Sequence, residues 1–133
     1  MTHRPPATAV DRERGAAVSE FALLAGLVSV ILLAAAQLAL ALHLHNTATA
    51  HVIEGARHGA RADSSPALGA ARARQLLEQS LPGAGGVTVT AGRSSVAGVE
   101  VVQVSASLAL PVFGPFGPAD RMTVTGQAYA EDQ

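Results

Sequence analysis

Few side chains in this 133-residue sequence could do chemistry, and their spacing limits what that chemistry can be. His51, Glu54 and His58 stand at i, i+3 and i+7, so on a helix they can share a face, and imidazoles beside a carboxylate can ligate a transition metal. The H-E-x-x-H spacing is missing, and a solvated polar face accounts for the same residues, so no metal is expected. His43 and His45 directly follow an apolar run, where anchoring at a membrane interface is the plain account. Ser94 and Ser95 read as part of a hairpin loop with Gly92 and Gly98, and no G-x-S-x-G elbow, P-loop or catalytic dyad accompanies them. Cysteine is absent, which removes disulfides, thiolate metal sites and cysteine nucleophiles together. The chain therefore reads as a non-enzyme with no cofactor and no small-molecule substrate. A formal net charge of −1 and a short list of aromatics (Phe21, Phe113, Phe116, Tyr129) argue against nucleic acid as a partner.

One carboxylate stands in an unusual place. Glu20 immediately precedes the run Phe21 to Leu42, which contains no charge and has Gln37 as its only strongly polar side chain. Twenty-two residues at about 1.5 Å each span about 33 Å, close to the hydrocarbon thickness of a bilayer. A helix this apolar could be buried in a soluble protein, but so short a chain has little protein to bury it, so membrane lipid is its expected surrounding. Arg4, Arg12 and Arg14, partly offset by Asp11 and Glu13, precede the run, and no arginine follows until Arg57, so the positive-inside rule leaves the first fifteen residues in the cytoplasm. A carboxylate at the start of such a helix costs a few kcal/mol unless it is partnered or interfacial. Cleavage after Gly15 would supply a partner, because the new ammonium of Ala16 would lie about one helical turn from Glu20. Snorkelling of Glu20 toward headgroups is the simpler alternative. A secretory signal ending at Ala34-Ala35-Ala36, before Gln37, is a rival reading of the same region. Ala22 with Gly26, and Ala25 with Ser29, form small-xxx-small pairs that permit close helix packing in a membrane.

The stretch from Arg14 to Phe21, RGAAVSEF, resembles the processing site of type IV pilin-like proteins. More narrowly, RGAAVSEFALL with the apolar run behind it is similar to the TadE-like family of tight-adherence, Flp-type pilus systems. The later stretch NTATAHVIEGARHGAR, Asn46 to Arg61, is similar to that family's segment beyond the membrane helix, although His58 interrupts the pattern. The resemblance implies a pseudopilin or minor pilin cut by a prepilin peptidase between Gly15 and Ala16. It also implies that Glu20, with Phe21 beside it, aligns subunits during assembly. Other pilin-like subunits and the tight-adherence inner-membrane machinery are the implied partners. Pilins proper usually begin the mature chain with phenylalanine, and Ala16 departs from that pattern. The family fit covers about the first half of the chain. A signal-anchored or secreted binding module unrelated to pili is the alternative from a different class.

The elements that must position these residues follow from periodicity. No proline occurs between Pro6 and Pro66, and Leu44, Ala48, Val52, Ala56 and Ala60 recur every fourth residue, so one helix is expected from about residue 16 to 62, with Gly55 and Gly59 able to kink it. Glu54 stands at helical pair spacing from Arg57 and His58. Ser65-Pro66 reads as a helix start, and a second helix is expected to Leu81, with Ala70, Ala73, Leu77 and Leu81 inward before the stop at Pro82 to Gly86. The period then becomes two around Val87 to Thr90, Val102 to Leu110 and Met122 to Tyr129, which predicts a three-stranded antiparallel sheet. Between the last two strands, Phe113 and Phe116 sit among prolines and glycines; their rings are expected to fold back onto the helix layer, with an exposed partner contact as the alternative. The expected fold is α+β, organised as a leader (1–15), a transmembrane helix (16–43) and a pilin-like extracytoplasmic domain (44–133).

Overall fold

The computed structural model describes residues 9–81, 86–109 and 121–131, with the side chains of the first helix described from residue 13 onward. Helix α1 spans Ala9–Gly59, helix α2 Pro66–Ser80, and strands β1, β2 and β3 span Thr88–Val96, Val99–Ala109 and Arg121–Tyr129. The expected α+β fold is thus present. The chain divides within α1 into two units, Met1–Leu38 and Ala39–Gln133. Helix α1 begins seven residues earlier than the expected start at residue 16 and runs unbroken through Gly15 and Gly55. A single internal glycine costs about 1 kcal/mol relative to alanine, too little to end a helix whose other residues propagate it.

In the second unit, the three strands form one antiparallel sheet in the order β1-β2-β3. The even positions of β2, Val102, Val104, Ala106 and Leu108, are buried, and they face Ala128, Gly126, Val124 and Met122 of β3 in register. The fourfold stripe on α1 supplies the opposing layer, with Ala48, Val52 and Ala56 fully buried. On α2 the inward line is Gly69, Ala73 and Leu77, so Gly69 takes the place expected for Ala70. The reason is steric: a Cβ on Gly69 would meet Gly55 O at 2.6 Å and Gly59 Cα at 3.0 Å. Gly55 and Gly59 therefore mark where α1 meets α2, not a kink. Gly126 plays the same part on β3, since a Cβ there would meet Ile53 N at 2.7 Å and Val52 C at 2.9 Å.

Strand β1 is longer than the alternation at Val87 to Thr90 suggests. Ser94 and Ser95 are not in a loop but in β1, paired with Val101 and Glu100. The turn is instead the two-residue Ala97-Gly98 loop, with φ of 52° and 81°. Positive φ at both central residues is the type I′ hairpin, whose twist matches that of its strands. Ser65 caps α2 as expected, its Oγ accepting from Leu68 N at 3.3 Å with Pro66 at the first helical position. After β3, Glu131 N–H donates to Ala60 O at 2.8 Å, and its carboxylate accepts from Ala62 N at 3.3 Å, tying the strand's end to the end of α1.

Candidate functional site

The first unit contributes a stretch of α1 whose surface is apolar throughout. Leu23, Leu24, Leu27, Val28, Val30, Ile31, Leu32 and Leu33 are each more than half exposed, and Phe21 is 73% exposed. Long and apolar enough to cross a membrane, this helix has none of its apolar window buried against protein. Exposing so many large side chains to water would be prohibitive at about 25 cal/mol per Å², so this surface calls for an apolar surrounding. Its hydroxyls are satisfied within the helix: Ser19 Oγ donates to Gly15 O at 2.9 Å and Ser29 Oγ to Ala25 O at 2.7 Å. That is how hydroxyl groups are accommodated where water is absent.

Glu20 is exposed on this helix and has neither an ion pair nor a hydrogen bond among the described residues. It is the acidic group nearest the apolar stretch, one turn beyond Ala16, and the helix continues through both. Gly15, Ala22 and Gly26 are exposed too, and a Cβ on Gly15 or Gly26 would meet nothing within 4 Å. The helix brings Gly15, Ala16, Glu20 and Phe21 within two turns of each other, on a surface no other part of the described chain covers. It also passes without interruption through Ala34-Ala35-Ala36 and Gln37.

The remaining candidates scatter. His51 Nε2 lies 2.7 Å from Ser80 Oγ, bridging α1 to the end of α2. Glu54 and His58 line a different feature, an open groove of about 490 Å³ shared with Arg61 and Arg72. Among the described residues, no three histidine or carboxylate groups converge as metal ligands. The spacing of Glu54 to Arg57 and His58 produces no ion pair; the pair present among described residues is Arg93–Glu100, at 3.0 Å. Ser94 Oγ is buried without a hydrogen-bond partner among the described residues. Phe113 and Phe116 lie outside the described residues.

What periodicity did not reveal is a second groove, of about 510 Å³, between α1 and β3, where Arg57, Arg61 and Tyr129 meet. The two arginines, Arg57 near the end of α1 and Arg61 just past it, were the available signal. No curated protein and no solved structure matches the chain. The family model described as TadE-like protein does match, over residues 15–57, so the stretch from Gly15 through the apolar helix to Arg57 carries that family's pattern, consistent with a TadE-like protein of Tad/Flp pilus systems.

Proposed function

We propose that this chain is a membrane-anchored pseudopilin or minor pilin acting in the assembly of a tight-adherence pilus or related secretion system, and that it is not an enzyme. The observation that carries the reading is an uncovered apolar helix with one unpartnered carboxylate, Glu20, near its start, in a stretch matched by the family model from Gly15 onward. Glu20 in lipid costs a few kcal/mol alone. A prepilin peptidase cutting after Gly15 frees the Ala16 ammonium one turn away, in the same subunit or in a neighbour. Pairing with a neighbour then sets the axial register of packed helices, because any other register leaves a charge unpaired in lipid. Ala22 and Gly26, small and uncovered, permit the close approach such packing requires. The arginines before the apolar run keep the N terminus cytoplasmic, and residues from about 44 onward act outside the membrane.

Intact mass of the membrane-extracted protein, co-expressed with its natural peptidase, tests this. A mature chain starting at Ala16 is expected. Gly15→Phe should block maturation without disturbing the fold, since a Cβ at Gly15 meets nothing. A start at Gln37 would make the chain a secreted module, and an uncut chain a plain anchor; either refutes the pilin reading.

A further inference from the structure

Among the described residues the sheet has two edge strands without a further partner strand, β1 and β3, and the groove beside β3 has the features of a strand-receiving site. Nine consecutive residue pairs join β2 to β3 without a bulge. Within Arg121–Tyr129 there is no proline or lysine, and the single charge is Arg121 at the start. Natural edge strands are normally blunted by such devices, and an unblunted edge is a template for another strand. The groove is lined by Ala128, whose side chain points to the helix layer, and by Tyr129, which points to the opposite face. Lining from both pleat parities, Gln127 to Tyr129, places it at the C-terminal end of the strand's edge and not on one face.

The other wall is formed by Ile53 and Arg57 of α1 and by Arg61 just past its end. Arg57 and Arg61 are exposed and have no hydrogen bond or ion pair among the described residues. Glu131, the acid in the groove, is engaged at one end by Ala62 N. Two contacts give the relative direction of the walls: Gly126 lies against Ile53, and Glu131 N bonds Ala60 O, so β3 and α1 run in the same sense.

We propose that the β3 edge binds an extended segment of a partner polypeptide carrying aspartate or glutamate. The added strand pairs its backbone with β3 and sets its carboxylates on Arg57 and Arg61, with Tyr129, 73% exposed, packing beside it. This goes beyond the assembly reading and does not depend on processing at Gly15.

The test uses the full chain in phosphatidylcholine nanodiscs and a fluorescent peptide alternating glutamate with valine. Anisotropy should report binding, a peptide with lysine for glutamate should not bind, and the double variant Arg57→Glu/Arg61→Glu should bind the acidic peptide about tenfold more weakly or worse. Amide exchange should slow in β3 and not in β1, while unchanged exchange in α2 certifies the fold of the variant. Methylating alternate backbone amides of the peptide should abolish binding on the face that pairs. Equal binding by the peptides methylated on either set of amides, slowing at β1, an unchanged affinity in the double variant, or no binding of the acidic peptide would each overturn the proposal.

Discussion

Replacing Gly55 with alanine should loosen the α1–α2 pair even though alanine is the better helix former. A Cβ at this position would stand 2.6 Å from Ala73 Cβ, 2.7 Å from Gly69 O and 3.2 Å from Ala73 N. Non-bonded carbon atoms rest at about 3.5–4.0 Å, so the shortfall is about 1 Å. Two of the three atoms are backbone and the third is a Cβ, so no side-chain rotation relieves the clash and the helices must separate. Overpacking of this kind costs about 1–3 kcal/mol. The gain in helix propensity offsets about 1 kcal/mol of it. A net loss of about 0–2 kcal/mol remains, and at its midpoint of about 1 kcal/mol the local opening equilibrium of α2 rises roughly fivefold. Hydrogen exchange of α2 amides in the full, detergent-solubilised chain measures this directly. Gly92→Ala, where a Cβ meets nothing within 4 Å, is the matched control and should leave α2 unchanged. If Gly55→Ala leaves α2 exchange unchanged or slows it, propensity outweighs packing there and the close crossing is not as described.

Three further outcomes are expected. Ala97 adopts φ of 52° in the hairpin turn, so Ala97→Asn should relieve strain and slow exchange in β1 and β2 by an amount equivalent to about 0.5–1 kcal/mol. Ser65→Ala removes the acceptor for Leu68 N and should destabilise the first turn of α2 by about 0.5–2 kcal/mol, read as faster exchange confined to that helix. Glu20→Ala should still be cut after Gly15 yet lose co-purification with pilin-like subunits, whereas retained co-purification would remove Glu20 from the register argument.

The periodic elements could be read directly because burial imposes its own period on the chain. The fourfold line from Leu44 to Ala60, the alternation in β2 and β3, and the Ser65-Pro66 start of α2 are each written in local spacing. The uncovered helix around Phe21 to Leu33 was equally legible, since composition alone decides whether a helix this apolar belongs in lipid. Glycine is different. In sequence Gly55, Gly59, Gly69 and Gly126 look like breakers or weak points, because a residue without a side chain carries no record of what stands where its Cβ would be. Ser94-Ser95 misled for a related reason: serine, like glycine, is favoured in turns, and whether it stays in a strand depends on where the partner strand pairs. The juxtaposition of Arg57 and Arg61 with the edge of β3 lay furthest beyond reach. Residues separated by some seventy positions meet only because Gly126 lets the strand settle on the backbone of α1. Local patterning thus determined which segments are helix, strand and membrane span. Tertiary packing alone decided which surfaces are closed and which remain open to a partner, since that depends on distances between segments that no spacing along the chain encodes.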